Sequence, residues 1–515
     1  MSDRLPIVWT IAGSDSGGGA GIQADLHTFH ALGVHGCSAI TAITAQNTMA
    51  VEHVLCLPAE NIRQQIQALA HDLPPQAIKI GMIGDSDNVA EIRSFLADYK
   101  GPVVLDPVIV AGSGDPLLLS KEDEYCDILA SIYPFIEVLT ANIPEAEALS
   151  GKPIYTHEDI KIAADILLSK GVKNVLIKGG HFQHDPFSQD YWTDGSAHFW
   201  LSSKREHFSL RASLRRACDE ATQEKLSQAI QEKLNHSVYH GTGCTLSSAI
   251  AAFLARGITL KEALVMAKMY VTQNVVDAKA YGSGSLLLPH AVVLEKQAYL
   301  PYLSQHPLQD TPTAFPVCGY DLGLYPVVET AQWLSILLPL GIKTIQLRVK
   351  DKIGEALENE IQQAVTIAKK YQARLFINDY WDLAIKYGAY GVHLGQEDLL
   401  TADLQQIKNA GLRLGLSTHS YEELATAHAH RPSYIAFGPI FSTTSKQMPF
   451  DPQGIEKLKQ IRQLVDYPLV AIGGINEGNI QDVIKSGVNG AAMISAITQA
   501  DDPVKATRSL LNKVA

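Results

Sequence analysis

The chain has 515 residues, of which 46% are hydrophobic and 19% charged, and its formal net charge is −12. This length exceeds what one hydrophobic core usually supports, so we expect two or more domains. The acidic balance disfavours nucleic acid and anionic membranes as partners, because both attract basic surfaces.

The sequence does not show the patterns typical of a signal peptide, a membrane-spanning segment or a zinc site. No apolar run reaches about 18 residues, and the first residues do not form a basic and then apolar signal peptide. The six cysteines are scattered without a C-x-x-C pair, which argues against a disulfide framework and a zinc site. We expect a cytoplasmic protein that acts on small molecules. The sequence does not decide whether the protein forms a homo-oligomer, because apolar helices occur both in cores and in subunit interfaces.

Strand and helix patterns alternate through the first half, which is typical of α/β domains with parallel sheets. Apolar, β-rich runs predict strands near Val8–Ala12, Ser38–Ala45, Ala77–Ile83, Val103–Pro107, Val138–Asn142 and Asn174–Gly180. Polar and glycine-rich motifs follow several of these runs directly, where an open α/β sheet has its ligand crevice. The first half therefore predicts an open α/β sheet with a site at its carboxyl edge.

The second half predicts eight further strand–helix units. Their strands begin near Leu322, Thr344, Arg374, Gly391, Arg413, Tyr434, Pro468 and Ala491. Eight such units in about 195 residues are typical of a compact (β/α)8 TIM barrel, whose site lies at the carboxyl ends of the strands.

Irregular, proline-containing sequence separates the two halves. We predict domains at residues 1–290 and 319–515, joined by a linker at 291–318. A charged, helix-prone segment at about 205–236 predicts an insert in the first domain. A solvated amphipathic helix is favoured for this insert over a nucleotide lid or an interdomain contact.

Two glycine-rich motifs in the first half are suited to phosphate. The run from Gly13 to Gly21 follows a strand and opens a helix, but it fits neither the Rossmann nor the P-loop pattern. The motif Gly241-Thr242-Gly243-Cys244 precedes an apolar helix, whose free N–H groups can stabilise a transferring phosphoryl group. A plain turn stays open for the first motif, so neither motif identifies the activity by itself.

The first half resembles the hydroxymethylpyrimidine and phosphomethylpyrimidine kinases of the ribokinase-like superfamily. The resemblance covers about residues 5–285 apart from the insert, and it is carried by segments 8–25, 42–47, 79–82, 105–107, 113–117, 142–147, 178–181 and 240–248. It implies ATP as cosubstrate, with Lys178 near the phosphates and Asn142 and Glu145 near Mg²⁺. It also implies a pyrimidine pocket that contains Gln46, whose amide can both donate to and accept from the ring. Asp15 is a second candidate for orienting substrate, although such aspartates also cap helices.

Cys244 stands where many ribokinase-like enzymes have an aspartate base, a difference that the pyrimidine kinases share. A helix N-terminus lowers the pKa of a thiol, so Cys244 is a candidate base, with Gly241 and Gly243 in the adjoining catalytic loop. The alternative is a small buried cysteine whose neighbouring backbone stabilises the transition state. For His240, fixing the loop is favoured over proton transfer.

Polar residues follow the predicted strands of the second half. They include Arg348 and Lys350, Asn378 and Asp379, Asp398, Ser417, residues 443–446, and Gly473. In a barrel these groups converge on one mouth. Carboxylates suit Mg²⁺, and cations with N–H donors suit phosphate oxygens. The order and spacing therefore predict a site for a metal-bound diphosphate.

This ordered set resembles thiamine phosphate synthase over roughly residues 322–497. The resemblance implies Mg²⁺ binding by Asp379 and Asp398. It implies pyrimidine diphosphate binding by Gln346, Leu347, Arg348, Val349, Lys350, Asn378, Ser417 and Lys446, of which Lys446 is also catalytic through the departing pyrophosphate. It implies thiazole phosphate binding by Thr443, Thr444, Ser445, Gly473, Ile494 and Ser495. Ser445 stands where the family often has threonine, and the hydroxyl is retained.

The two resemblances together imply a bifunctional enzyme of thiamine biosynthesis, because the kinase product is the substrate of the synthase. A pyridoxal-type vitamin kinase stays open as an alternative for the first half. A regulatory barrel that binds thiamine intermediates without turnover stays open for the second. The presence of Asp379, Asp398 and Lys446 argues against a regulatory barrel, because a protein that only binds its ligand needs no groups that stabilise a leaving group.

Overall fold

The computed structural model describes residues 4–109, 122–181, 185–205, 239–291, 296–442 and 451–514. The chain divides into two compact units, one formed by Met1–Leu294 with Tyr299–Asp310 and the other by Glu295–Ala298 with Thr311–Ala515. Residues 299–310 thus belong to the first unit, although they lie inside the segment predicted as a linker. The predicted insert lies outside the described residues except for Arg205. Among the described helices, none is long and apolar enough to cross a membrane.

A mixed sheet runs through the first unit. The described strands of this unit are β1 (Ile7–Asp15), β2 (His35–Gln46), β3 (Val51–Cys56), β4 (Ala77–Ile80), β5 (Val103–Leu105), β6 (Val138–Asn142), β7 (Val175–Lys178), β8 (Phe187–Thr193), β9 (His198–Lys204), β10 (Tyr239–His240), β11 (Leu286–Leu287) and β12 (Tyr302–Ser304). Of these, β10 and β11 form a small pair that is separate from the sheet. The sheet order is β12-β9-β8-β7-β6-β5-β4-β1-β2-β3. The strands from β7 through β1 to β2 are parallel to one another. The predicted open α/β sheet is confirmed.

Antiparallel strands at both edges of this sheet were not predicted. β3 pairs with β2, and β8, β9 and β12 extend the other edge. In β8, six of the seven residues are buried, so the strand lacks the alternation of apolar and polar residues that marks a half-exposed strand. β12 is three residues long and pairs with β9 across about a hundred residues of sequence, which no local pattern reveals.

Helices cover the sheet of the first unit. They are α1 (Gly21–Ala31), α2 (Ala59–Asp72), α3 (Ser86–Leu96), α4 (Glu122–Leu129), α5 (Ile143–Ser150), α6 (His157–Ser169), α7 (Thr242–Ala255) and α8 (Leu260–Val276). Every residue of α7 from Cys244 to Phe253 is buried, because the helix packs between α1, α8 and the strands β4 and β5. This central position holds the N-terminus of α7 at the carboxyl edge of the sheet.

The second unit is a closed barrel of parallel strands. They are β13 (Gly323–Val328), β14 (Thr344–Leu347), β15 (Arg374–Asn378), β16 (Gly391–Leu394), β17 (Arg413–Thr418), β18 (Tyr434–Phe437), β19 (Leu469–Ile472) and β20 (Gly490–Met493). The order β13 to β20 closes on itself, with β20 paired to β13. Each strand begins within one residue of its predicted start, so the predicted (β/α)8 barrel is confirmed.

Amphipathic helices surround this barrel. They are α9 (Ala331–Leu337), α10 (Gly354–Lys370), α11 (Trp381–Tyr387), α12 (Leu404–Asn409), α13 (Tyr421–His430), α14 (Gly454–Leu464), α15 (Ile480–Lys485), α16 (Ser495–Thr498) and α17 (Pro503–Val514). In α10 the buried residues Leu357, Ile361, Ala364, Val365 and Ala368 recur at helical spacing. The buried face therefore turns toward the strands, and the polar functional residues are left to the loops above the barrel.

Candidate active sites

The first glycine-rich loop follows β1 and is organised by the carboxylate of Asp15. This buried carboxylate accepts hydrogen bonds from the backbone amides of Gly17 (2.8 Å), Gly19 (3.0 Å) and Ala20 (2.8 Å). Burial by itself raises the pKa of Asp15, but the hydrogen bonds from His240 and from these amides outweigh it, so the pKa is lowered. The Asp15 carboxylate therefore stabilises the backbone conformation of this loop.

The structure brings Asp15, Gln46 and His240 together. The Nε2 atom of His240 lies 3.0 Å from Asp15 Oδ2 and 3.0 Å from Gln46 Nε2. The Oε1 atom of Gln46 accepts a hydrogen bond from Thr44 Oγ1 at 3.2 Å. The amide predicted to bind substrate is thus half-buried at the end of β2 and oriented by neighbours on two sides.

The two glycine-rich loops lie in direct contact. Gly241 has a φ of +82°, and a Cβ atom at this position would be 1.8 Å from the carbonyl oxygen of Gly19. A Cβ atom at Gly19 would lie 2.5 Å from the His240 ring. Gly241 admits only glycine, since its left-handed backbone and the close approach of the Gly19 carbonyl both exclude a side chain. At Gly19, a side chain would displace the His240 ring and the Leu287 side chain. The loop before α7 is therefore packed on the loop after β1.

A largely buried lysine with two buried carboxylates lies beside the N-terminus of α7. Lys178 Nζ is 2.7 Å from Asp106 Oδ1 and 3.8 Å from Glu145 Oε2. A Cβ atom on Gly243 would be 3.2 Å from the same Nζ, which places the ammonium group against the loop that begins α7. Burial lowers the pKa of Lys178, but Asp106 and Glu145 outweigh this effect and raise it, so the lysine is a cation at neutral pH.

Asn142 and Glu145 also have a structural role at the start of α5. Asn142 Oδ1 accepts from the Glu145 amide at 2.9 Å, and Glu145 Oε2 accepts from the Asn142 amide at 2.8 Å. This capping box explains both residues without a ligand. Burial raises the pKa of Glu145 to about 7, although the nearby Lys178 lowers it. The Glu145 carboxyl group is therefore less acidic than an exposed glutamate.

The prediction that the pKa of Cys244 is lowered is wrong. The side chain is buried, and this burial raises the pKa of the thiol to about 11, although the Lys79 ammonium group opposes the rise. Loss of hydration disfavours the thiolate more than the cation and the helix N-terminus favour it. The thiol is protonated at neutral pH in this structure, and its role as a base stays a prediction.

One ionic group of this unit was not predicted from the sequence. Lys79 Nζ donates to both carboxylate oxygens of Asp25, at 3.0 Å and 2.9 Å. The same carboxylate accepts from Thr10 Oγ1 at 2.6 Å and from Ser248 Oγ at 2.7 Å. A lysine inside the buried strand β4 was the available signal, since an unpaired buried cation is very costly.

In the second unit, the described residues predicted for the site lie at the carboxyl ends of the barrel strands. Gln346 and Leu347 end β14, and Arg348 to Lys350 follow it; Asn378 ends β15, and Asp379 follows it; Ser417 lies in β17, Gly473 follows β19, and Ile494 and Ser495 follow β20. Asp398 begins a short 3-10 helix after β16. Because the barrel is closed, these positions share one mouth. Residues Thr443, Thr444, Ser445 and Lys446 lie outside the described residues.

The exposure of these residues differs. Leu347 and Val349 have buried side chains that belong to the core, so only their backbone groups are available to a ligand. Lys350 and Asp379 are exposed at the mouth, and Asp398 Oδ2 accepts from the backbone amide of Gly395 at 3.0 Å. No group of three or more His, Cys, Asp or Glu among the described residues is arranged to hold a metal ion. A cation at this mouth would therefore need ligand oxygens beyond Asp379 and Asp398.

A chain of hydrogen bonds below the mouth was not predicted from the sequence. The Nδ1 atom of His393 lies 2.7 Å from the Tyr434 hydroxyl, and Nε2 lies 2.8 Å from Ser417 Oγ. The Tyr434 hydroxyl lies 2.8 Å from that of Tyr325. Burial lowers the pKa of His393 to about 4, so the imidazole is neutral. Inward-facing tyrosine and histidine in otherwise apolar strands were the available signal.

Comparisons with known proteins match both units. A family model for phosphomethylpyrimidine kinase matches residues 15–209 and 215–288, and one for thiamine monophosphate synthase matches residues 324–497. The thiamine-phosphate synthase of Photorhabdus laumondii is 58% identical over 193 residues, which are 37% of this chain and 89% of that protein.

Two solved structures are similar to the first unit. The phosphomethylpyrimidine kinase of Clostridium difficile is 36% identical with a TM-score of 0.42, over 52% of this chain and 99% of that chain. The pyridoxal kinase of Staphylococcus aureus in complex with pyridoxal is 29% identical with a TM-score of 0.46, over 56% and 94%.

The family matches cover adjoining parts of one polypeptide and describe two different transferases. The chain is thus a bifunctional enzyme of thiamine biosynthesis, which confirms the activity implied by the sequence. It belongs to the phosphomethylpyrimidine kinase family through its first unit and to the thiamine-phosphate synthase family through its second.

Proposed function

We propose that the first unit uses ATP to phosphorylate 4-amino-5-hydroxymethyl-2-methylpyrimidine and then its monophosphate. The second unit condenses the resulting diphosphate with thiazole phosphate, which yields thiamine phosphate and pyrophosphate. One observation carries this proposal: a single chain matches a kinase family and a synthase family, and the product of the kinase reaction is the substrate of the synthase reaction. We place the enzyme in the cytoplasm.

In the kinase unit, the pyrimidine lies beside Gln46 and the loop that Asp15 organises. The substrate hydroxyl points to the N-terminus of α7, where the amides around Gly241 and Gly243 stabilise the charge of the transferring phosphoryl group. The cation of Lys178 neutralises phosphate charge at the same point. This role of Lys178 is supported by the 3.2 Å distance between its Nζ atom and the position that a Cβ atom on Gly243 would occupy.

Two further roles complete the kinase site. The Cys244 thiol first loses its proton to solvent, and the resulting thiolate takes the proton of the substrate hydroxyl. Asn142 and Glu145 adjoin the ATP-bound Mg²⁺ through their place at the start of α5. The support for this assignment is the position of the Glu145 carboxyl group, whose Oε2 atom lies 3.8 Å from Lys178 Nζ.

In the synthase unit, Asp379 and Asp398 hold Mg²⁺, which when bound neutralises charge on the diphosphate. Two carboxylates fit this ion, because Mg²⁺ commonly takes one or two carboxylates and completes its shell with substrate oxygens and water. The exposed carboxylate of Asp379 at the mouth supports this assignment.

The other residues of the mouth bind the two substrates. Pyrimidine diphosphate is bound by Gln346, Arg348, Lys350, Asn378, Ser417 and Lys446, with the backbone of Leu347 and Val349. Thiazole phosphate is bound by Thr443, Thr444, Ser445, Gly473, Ile494 and Ser495. The cationic side chains stabilise the departing pyrophosphate, and the thiazole nitrogen captures the pyrimidine carbocation. No protein nucleophile is needed, so the site acts by orientation and charge stabilisation.

A single reaction mixture tests the whole proposal. Purified full-length protein receives hydroxymethylpyrimidine, ATP, Mg²⁺ and thiazole phosphate, and thiamine phosphate is followed by mass spectrometry. We expect product only when all four are present. Accumulation of pyrimidine diphosphate alone would contradict the synthase assignment. Phosphorylation of pyridoxal but not of the pyrimidine would favour the pyridoxal-type kinase.

A further inference from the structure

The backbone that follows Lys178 is held by a buried ion pair from two other elements. Lys178 ends β7, and Gly179 begins the short 3-10 turn after it. The backbone amide of Gly179 donates to Asp190 Oδ1 of β8 at 3.2 Å. The other oxygen of this carboxylate accepts from Lys268 Nζ of α8 at 2.8 Å, and both side chains are more than nine-tenths buried. We call Asp190 and Lys268 the β8–α8 pair.

The Asp190 carboxylate continues the contact between β7 and β8 beyond the end of their backbone pairing. The two strands pair as far as Ile177 and Tyr191. The turn then passes close to β8, since a Cβ atom on Gly179 would lie 1.9 Å from the carbonyl oxygen of Gln189. A buried backbone amide needs an acceptor, and for Gly179 the Asp190 side chain supplies it.

This contact fixes the backbone on one side of Lys178. The Gly179 amide belongs to the same planar peptide unit as the Lys178 carbonyl group, so its bond to Asp190 sets the last backbone dihedral of the lysine. On its other side, Lys178 is paired with Asn142 of β6. The direction of the lysine side chain is therefore defined from both sides, and its Nζ atom reaches Asp106 Oδ1 at 2.7 Å.

Further contacts hold the turn and the ion pair. The Arg205 guanidinium group donates to the carbonyl oxygens of Gly180 at 3.1 Å and of Asp185 at 3.0 Å. Lys268 Nζ also donates to Ser188 Oγ at 3.2 Å, so the cation of the β8–α8 pair has a second partner. The turn is therefore fixed at an amide and at a carbonyl group.

Stability alone is a poor explanation for the β8–α8 pair. A buried ion pair commonly stabilises a protein no more than apolar side chains of similar volume, because both charges lose their water. This pair contacts the peptide unit next to Lys178, and a displacement of about 1 Å at a reacting site can cost about 100-fold in rate. Placement of the Lys178 ammonium group therefore accounts for an ion pair at this point of the fold.

We propose that the β8–α8 pair is a positioning device for Lys178. Through the Gly179 amide, Asp190 places the lysine ammonium group at the N-terminus of α7, and Lys268 holds the Asp190 carboxylate. Neither member of the pair contacts substrate in this role. The inference rests on the function proposed for Lys178 in phosphoryl transfer. Loss of the pair should therefore lower kcat and leave pyrimidine binding nearly unchanged.

The first test compares two buried side chains at consecutive positions of β8. Asp190→Asn replaces one acceptor oxygen with an NH₂ group, so the side chain can no longer accept from both of its partners. Gln189→Leu is the matched control, because the hydrogen bonds of the buried Gln189 side chain go to Asp185, Ser202 and Leu308.

The measurement is ATP-dependent phosphorylation of hydroxymethylpyrimidine by the full-length protein without denaturant. We expect Asp190→Asn to lower kcat about tenfold, with KM for the pyrimidine within about twofold of the wild type. Gln189→Leu should keep kcat within about twofold, although urea inactivates both variants earlier than the wild type. A normal kcat in Asp190→Asn, or equal losses in the two variants, would overturn the proposal, since a merely structural role predicts equal losses.

A double-mutant cycle shows whether the pair acts through Lys178. In a Lys178→Met background, Asp190→Asn should change kcat by no more than about twofold, because the group that it positions is gone. A further tenfold loss would overturn the proposal. Lys268→Gln serves if Asp190→Asn does not fold, since glutamine still donates to Asp190. It should lower kcat about threefold by itself and not in the Lys178→Met background, and an unchanged kcat would overturn the proposal.

The substrate of the wild-type kinase separates this inference from the proposed function. Phosphorylation of pyridoxal and not of the pyrimidine would contradict the proposed function. The same comparison of kcat values, made with pyridoxal, would then support or overturn the positioning role by the same criteria. Full kinase activity in Lys178→Met would overturn the role of this lysine and the inference with it.

Discussion

The Lys79 ammonium group lies 2.9 Å from the Asp25 carboxylate, and neither side chain is exposed to solvent. Lys79 belongs to β4 and Asp25 to α1, and the same carboxylate accepts from Thr10 of β1 and Ser248 of α7. These four elements include the strand and helix that flank the first glycine-rich loop and the helix that begins at the second. The buried pair of Lys79 and Asp25 therefore links the strands and helices that flank the two glycine-rich loops.

Lys79→Met should destabilise the kinase unit strongly. The substitution leaves the Asp25 carboxylate buried without its cation, which costs about 3–5 kcal/mol for a broken buried ion pair. Urea inactivation of the full-length protein measures this, with the midpoint for kinase activity expected to fall and the synthase midpoint as internal reference. Lys173→Met, which breaks the exposed pair with Glu137, should cost less than about 1 kcal/mol. Similar midpoints for the two variants would contradict the role assigned to the pair.

Lys178→Met should abolish most kinase activity and also lower the urea midpoint of the kinase unit, because Asp106 and Glu145 lose their cation; the activity is therefore measured without denaturant. In the proposed site Lys178 is a fixed cation beside the transferring phosphoryl group, and loss of such a group costs about 100-fold or more in kcat. The measurement is ATP-dependent phosphorylation of hydroxymethylpyrimidine, with the synthase reaction followed in the same preparation. Lys161→Met is the matched control, because this lysine pairs with Glu158 on the surface of α6. A variant that retains kinase activity would place Lys178 outside the reaction.

The pH dependence of the kinase tests Cys244 as a base. A base must be deprotonated, and a thiol whose pKa is about 11 has a thiolate fraction that grows about tenfold per pH unit below that value. The kinase rate should therefore rise across pH 7 to 9 in the wild type and lose this slope in Cys244→Ala. Cys37→Ala, a change at another buried cysteine, should keep the slope. An unchanged slope in Cys244→Ala would assign the chemistry to the backbone amides of α7.

Asp379→Asn should impair the Mg²⁺-dependent synthase reaction severely. Loss of one of the two carboxylates proposed to hold the ion should lower kcat/KM by about 100-fold and raise the Mg²⁺ concentration needed for half-maximal rate. The measurement is thiamine phosphate formed from supplied pyrimidine diphosphate over a Mg²⁺ titration. Asp382→Asn, on the exposed first turn of α11, should behave as wild type. Near-normal synthase activity in Asp379→Asn would reject the metal assignment.

Local sequence patterns predicted the barrel strands and the central strands of the first sheet. Such strands are buried on both faces, so their apolar runs are continuous and visible without knowledge of their neighbours. The edge strands were missed for a related reason. β12 has three residues and pairs with β9, which lies about a hundred residues earlier in the sequence, so β12 was included in the segment predicted as a linker at 291–318.

The sequence by itself determined the two families, the position of each glycine-rich loop and the polar residues that end the barrel strands, because motif spacing and strand periodicity are local properties. Only the tertiary structure decided the state of the groups within those sites. Cys244 has a raised pKa because the packing of α7 removes its water, and Lys79 finds its counter-ion 54 residues away. His393, Tyr434 and Ser417 meet because the closed barrel places β16, β17 and β18 side by side. Hydration and distant contacts depend on the whole fold, so no run of neighbouring residues encodes them.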